Sequence, residues 1–278
     1  MRRTGAPLLA LIRASHPLPA LGVTAFTTVL AALAGNGAGR CALVAAAILC
    51  GQLTIGWTND RHDLVADRIV GRISKPLAAG EVSPHIVDVA TAVASVATIV
   101  LSLQLGWRAG WLHLGAVAIG WVYNFWLKGT WWSWLPYAVA FGALPAIATF
   151  ALPAHPAPAA WAIAAGACLG TSANFANALN DVDDDRVTGF RGAPARIGGK
   201  ASLLVSVVLA AVSCLVIAVA PPGDTDLLST VCLGVGLAAL VGAVVALWRR
   251  AETRAPFYAL LGFVPIDLIM LADLGHLH

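Results

Sequence analysis

Charge is what this chain has least of. Charged residues make up 11% of its 278, where a soluble domain carries about 25%, and mean hydropathy is +0.81. Such scarcity excludes an ordinary soluble domain and implies a polytopic membrane protein. Several site signatures are missing too. The five cysteines (Cys41, Cys50, Cys168, Cys214 and Cys232) have no CxxC spacing and lie in apolar runs, so neither a disulfide frame nor a zinc site is expected. No Walker-type glycine loop is present, which disfavours a nucleotide. Net charge is only +3, with the basic residues spread along the chain, so no nucleic-acid partner is expected. Arg13 interrupts the short apolar run after Arg2 and Arg3, which argues against a cleaved signal peptide. No short-period repeat is evident.

What charge there is falls in few places. Of 14 acidic residues, seven lie in two stretches: Asp60, Asp63 and Asp67 in one, Asp181, Asp183, Asp184 and Asp185 in the other. On a helix, Asn59, Asp60, Asp63 and Asp67 fall within roughly 100° of arc. Asn177, Asp181, Asp184 and Asp185 do likewise, while Asp183 points elsewhere. An acidic run can be no more than a solvated helix end. Two of them in so charge-poor a chain read instead as a site. Carboxylates crowded on one face repel one another. The usual relief is a hard cation with oxygen ligands, and Mg2+ commonly bridges to phosphate oxygens.

The expected fold is all-α, with nine transmembrane helices around a central cavity and two cytoplasmic helical linkers in a single domain, 1–278. Apolar runs place spans at 17–35, 41–57, 86–105, 109–127, 132–152, 158–178, 202–220, 227–248 and 256–274, each near the ~20 residues a crossing needs. The stretches 58–85 and 179–201 are too polar to cross, and each holds one acidic run. With the N-terminus in the cytoplasm, 15 of the 17 Lys and Arg fall inside and only Arg40 and Arg108 outside. That bias supports a multi-pass protein with both acidic linkers on the cytoplasmic face. The two halves share a plan of a span ending in Asn, an acidic helix and a basic loop, a weak sign of duplication.

Basic residues surround the carboxylates: Arg61, Arg68, Arg72 and Lys75 in the first linker, Arg186, Arg191, Arg196 and Lys200 in the second, and Lys128 at the end of the fourth span. Carboxylates, Mg2+ and cations together make a diphosphate site. With the apolar helices of a protein set in a lipid bilayer beneath it, such a site suits a polyprenyl diphosphate, its head at the linkers and its tail between the helices.

The run Asn59-Asp60-x-x-Asp63-x-x-x-Asp67, followed by Gly71-Arg72-x-x-Lys75-Pro76-Leu77-x-x-Gly80, resembles the first signature of UbiA-type intramembrane prenyltransferases. Asn177-x-x-x-Asp181-x-x-x-Asp185, followed by Gly189, resembles the second, and Tyr123-Asn124-x-x-x-Lys128 the family's fourth-span ending. The resemblance implies Mg2+-dependent transfer of a prenyl group to an aromatic or other small acceptor, with Mn2+ as a substitute metal. Asn59, Asp63 and Asp67 would bind one Mg2+, with Asp60 fitting an Asn-Asp variant of the motif. Asp181 and Asp185 would bind another, with Asn177 where several members carry Asp. Asp63, Asp67, Asp181 and Asp185 would be the catalytic carboxylates. Arg68, Arg72, Lys75, Lys128, Arg191 and Lys200 would bind the diphosphate. Lys75 stands where many members have Arg, which keeps charge but loses the bidentate fork.

Tyr123 and Asn124 are expected beside the substrate pocket, guiding substrate or stabilising a cation. Asp267, in the last span, is either an acceptor-side contact or a structural hydrogen bond. His62 points away from the acidic face. His16 and His113 read as structural, Arg13 as an anchor or a phosphate contact, and Trp131, Trp132 and Trp134 as an interfacial belt. Two other functions are compatible with parts of the pattern. A terpene cyclase of the same type would ionise the same diphosphate without an acceptor. A cation transporter would be expected to place polar groups near the bilayer midplane on several spans, whereas here most carboxylates lie in the linkers.

Overall fold

A computed structural model describes residues 7–179 and 192–220, with seven further positions between 230 and 245. The described residues contain helices and no strand: α1 (Pro7–Ala14), α2 (Pro17–Leu33), α3 (Ala38–Ile69), α4 (Pro84–Gln104), α5 (Trp107–Val122), α6 (Leu135–Phe150), α7 (Ala160–Ala178), α8 (Ala193–Ile197) and α9 (Gly199–Val219). A π-helical turn, Tyr123–Leu127, continues α5. The expected spans from 17–35 to 202–220 each coincide with one of these helices. The expected span 256–274, and all but isolated positions of 227–248, lie outside the described residues.

Among the described residues, three helices are long and apolar enough to cross a membrane: α3, α4 and α9. A fourth crossing arises if α1 and α2, bent by 63°, count as one broken span; α6 is apolar but only 16 residues long. Apolar side chains cover the outside, among them Val93, Val96, Leu204 and Val208, as lipid contact requires. Inside, Leu30, Val44, Ile48, Leu105, Ile147 and Ile217 form one continuous core.

The length of α3 positions the site. Its 32 residues extend about 48 Å at 1.5 Å per residue, well beyond the ~30 Å hydrocarbon layer. The apolar part up to Trp57 is by itself long enough to fill that layer, and the Asn59–Asp67 run continues it on the same unbroken helix. Beside the acidic run, Trp57, Leu64, Leu77, Val82, Val87 and Ala94 form a second core with Ala10 and Ala14 of α1. The Trp57 indole also donates to the Leu11 carbonyl at 2.9 Å.

Two breaks complete the frame. Between α1 and α2, His16 adopts φ +54° directly before Pro17, which restricts its preceding residue away from a continuous helix. This break lies so close to α3 that a Cβ on Gly56 would fall 2.2 Å from the Ser15 carbonyl oxygen, so only glycine fits there. After α3, Gly71 at φ +70° turns the chain back, and the Arg72 amide bonds the Asp67 carbonyl at 2.8 Å. The turn folds 72–76 back against the acidic face. Ser83 then caps α4, its hydroxyl accepting from the Ile86 amide at 3.3 Å, with Pro84 at the first helical position.

Candidate active site

Asp60, Asp63 and Asp67 are 2%, 3% and 3% exposed. Spacings of three and four residues bring them to one face, as the helical phase predicts, and that face is turned inward. Three buried carboxylates need counter-charge, and the chain supplies it from three other segments. The Lys75 ammonium, carried in by the Gly71 turn, lies 3.0 Å from Asp60 Oδ1, 2.9 Å from Asp67 Oδ2 and 3.8 Å from Asp63 Oδ2. Lys128, just after the π-helical turn, donates to Asp63 Oδ2. Arg72 Nη1 approaches Asp67 Oδ1 at 3.5 Å. His16 Nε2, from the break between α1 and α2, is 2.9 Å from Asp60 Oδ1.

The electrostatics follow. Burial works to raise the Asp60 pKa, but the His16 hydrogen bond and the Lys75 charge outweigh it and hold the carboxyl below its ordinary range. For Lys75, burial works to lower the pKa, yet Asp60, Asp67 and Asp63 together hold it above the usual lysine value. Both groups are therefore charged near neutral pH.

Asn59 points to the adjacent side, where its amide donates to Asn124 Oδ1 at 3.1 Å. Asn124 in turn donates to the Ile55 carbonyl at 2.9 Å and to the Thr58 hydroxyl at 3.0 Å. The π-helical turn is thus bolted to α3 just beneath the carboxylates, a common place for such turns. Tyr123 stacks edge-on with Tyr137 of α6, ring centroids 5.3 Å apart. His62 is exposed and 3.5 Å from Asp63 Oδ1, at the rim of the acidic face.

The end of the second linker meets this site. The Ala193 amide donates to the Ser133 hydroxyl at 3.0 Å, and Arg196 lies over the Trp131 ring at 5.6 Å. Residues 192–196 therefore flank the Lys128 turn. Arg68, Asn177 and Lys200 are exposed. Asp181, Asp183, Asp184, Asp185, Arg191 and Asp267 lie outside the described residues. His16, read from sequence as structural, turns out to touch Asp60. Across a separation of 44 residues no local pattern announces that contact.

Whether these groups suit a divalent cation is a matter of donor chemistry. Among the described residues no set of His, Cys, Asp or Glu is gathered as a ready-made metal site; the Lys75 ammonium lies among the three carboxylates. The donors themselves fit: all are hard oxygens. One of them, Asp60 Oδ2, is buried with no hydrogen-bond partner.

The profile of the UbiA prenyltransferase family matches residues 8–264. The chain belongs to that family. It is an integral membrane protein of the UbiA fold. An apo UbiA homolog from Aeropyrum pernix K1 superimposes with a TM-score of 0.73 at 20% identity, over 90% of this chain and 96% of that one. A UbiA homolog from Archaeoglobus fulgidus, bound to GPP and Mg2+, gives 0.67 at 16% identity over 96% and 98%. A structure described for digeranylgeranylglyceryl phosphate synthase gives 0.68 at 15% identity over 97% and 98%. At these identities the likeness is one of fold. No curated protein matches the chain in sequence.

Proposed function

We propose that this UbiA-family protein is a Mg2+-dependent membrane prenyltransferase that ionises a polyprenyl diphosphate and passes the prenyl group to an aromatic or other small acceptor. One observation carries the reading: three buried carboxylates converge with Lys75, Lys128 and Arg72 where α3 leaves its apolar part. Family membership supports it, as do the Archaeoglobus fulgidus homologs, whose structures hold GPP or DMAPP with Mg2+.

In this reading Asn59, Asp60, Asp63 and Asp67 hold one metal ion, and Asn177, Asp181 and Asp185 a second. Mg2+ bound there supplies positive charge for the departing diphosphate, the dominant need of the reaction. Lys75, Lys128 and Arg72 bind diphosphate oxygens, with Arg68, Arg191 and Lys200 around them. The bond between the first prenyl carbon and the diphosphate oxygen breaks, and its electron pair leaves with the diphosphate. The allylic cation is then attacked by the acceptor, which loses a proton. Tyr123, beside Tyr137, offers a π-face toward such a cation, and Asn124 fixes the turn that carries it. The whole chain forms one domain of nine spans, with the N-terminus and both linkers cytoplasmic, as the partition of Lys and Arg supports.

Purified protein incubated with prenyl diphosphates and Mg2+ tests the reading. Diphosphate should be released in Mg2+ or Mn2+, and not in excess EDTA. Full turnover in EDTA would rule out the metal role. A cyclised hydrocarbon or alcohol formed without acceptor would identify a cyclase instead.

A further inference from the structure

Lys75 stands where the proposed metal would have to act, and the geometry points to a definite consequence. We infer that Lys75 is a built-in counter-ion of the acidic face, which a divalent cation must displace and which the diphosphate then takes up, so that metal and diphosphate bind cooperatively. The inference rests on the proposed metal–diphosphate function and adds a coupling to it.

The ammonium is within hydrogen-bond distance of Asp60 Oδ1 and Asp67 Oδ2, with Asp63 Oδ2 at 3.8 Å. A dication bound by the same carboxylates cannot share them with a fixed positive charge, because like charges at such separations repel strongly where water is scarce. The ammonium also under-fills the site. It leaves Asp60 Oδ2 buried and without a partner, an oxygen that a cation of higher charge and coordination number would use.

Only the side chain needs to move. The Lys75 backbone is held on both sides, its amide donating to Arg72 O at 3.1 Å and its carbonyl accepting from the Ala79 amide at 3.0 Å. Leu77, 1% exposed, anchors the segment beside Trp57 and Leu64. What remains mobile is a flexible four-carbon stem with a compact charge, the freedom that a guanidinium would lack. Lys75 is 16% exposed at its side chain, so its outer edge already reaches the opening.

Once displaced, the ammonium needs an anion, and the diphosphate is the one this site is proposed to bring. Metal without diphosphate must evict Lys75 with no compensation. Metal with diphosphate gives Lys75 a new partner. By linkage, each ligand then strengthens the other by one common factor.

The test uses full-length protein in detergent, stripped with EDTA and then freed of it. Binding of Mn2+ alone is read from the loss of its free electron paramagnetic resonance signal, with and without inorganic pyrophosphate. In wild-type protein, pyrophosphate should tighten Mn2+ binding at least about five-fold, the lower end of ordinary coupling. In Lys75→Met, Mn2+ alone should bind several-fold tighter than to wild type, and the pyrophosphate effect should shrink toward none. Simple loss of a ligand would instead weaken binding. Lys75→Met binding Mn2+ no tighter than wild type overturns the inference while leaving the proposed function standing, provided Asp67→Asn still loses the metal. Absence of Mn2+ binding in wild type even with pyrophosphate present overturns both.

Should Lys75→Met not fold, wild-type protein carries the test. Acylation of Lys75 by a water-soluble amine reagent, read by peptide mass spectrometry, should be several-fold faster in Mg2+ than in EDTA. Equal rates in the two conditions overturn the inference.

Discussion

Two of the buried polar clusters in this protein are built on opposite plans. At the emergent end of α3, three carboxylates are held by Lys75, Lys128, Arg72 and His16, drawn from segments far apart in sequence. Between α4 and α5, His113, 3% exposed, meets Ser102 Oγ at 2.7 Å. The Ser102 hydroxyl donates to the Thr98 carbonyl, so the ring Nδ1 is left to donate to Ser102. That pair is neutral and closed, as its burial between two apolar helices demands. The acidic cluster carries full charges and leaves Asp60 Oδ2 unpartnered. A closed neutral pair serves packing, whereas an open charged one can exchange partners. The difference marks α3, not α5, as the seat of chemistry.

The comparison breaks most visibly on the charged side. Asp63→Ala and Asp67→Ala should each lower turnover by at least about 10³-fold, the scale of losing major electrostatic stabilisation of a leaving group. Asp67→Ala leaves Lys75 beside Asp60, so folded protein should be largely retained, whereas Asp63→Ala removes the carboxylate to which Lys128 donates and should also cost stability. Turnover and thermal unfolding on the same preparations check both halves. Retained activity in either variant would move the chemistry away from α3.

The second acidic stretch extends the contrast to a part of the chain beyond the described residues. Asp181→Asn should cost more activity than Asp183→Asn, about ten-fold or more as a metal ligand against a bystander. The two are displaced by about 200° on a helix. Steady-state rates across a Mg2+ titration decide it, and equal losses would mean that the stretch acts only as diffuse charge.

Much of the charged site is legible in the sequence, and the reason is local. Asp60, Asp63 and Asp67 share a helix, so spacing alone sets their face, and Lys75 follows in the same linker. The mutual repulsion of three carboxylates at that spacing is enough to call for a counter-cation. What spacing cannot reveal is which cation answers. Lys75 reaches them because of the Gly71 turn and the Leu77 anchor, and such tertiary closure leaves no periodic trace. Likewise the seat of Asn124 against Asn59 depends on a π-helical turn between two stretches 65 residues apart. Hydropathy marks α2 to α7 and α9 as apolar runs. It does not foresee the extension of α3 to Ile69, because an apolar average stops where the helix does not.

On the neutral side the effect should be smaller and of another kind. Ser102→Ala removes the hydrogen bond that joins the His113 ring to α4. The loss should be about 1 kcal/mol of stability, in line with interhelical hydrogen bonds in membranes. The rate per folded molecule and its Mg2+ dependence should not change. A shift in either would mean that the pair communicates with the site.

An effect of similar modest size falls on His16, which belongs to both categories at once. It is a hinge residue in the left-handed region, at φ +54°, and its ring holds Asp60. Two substitutions separate these duties. Asparagine tolerates the left-handed backbone better than most residues, but its amide is too short to reach Asp60. His16→Asn should therefore keep the melting temperature while lowering kcat/KM about three- to ten-fold, the equivalent of roughly 1 kcal/mol in positioning. Glutamine has the reach but not the backbone preference. His16→Gln should lose about 1 kcal/mol of stability while keeping more of the activity than His16→Asn. Thermal unfolding and steady-state kinetics on the pair give the readout. If both variants melt with wild type and turn over with wild type, the contact with Asp60 positions nothing, and the acidic face is set without His16, by Lys75, Lys128 and Arg72.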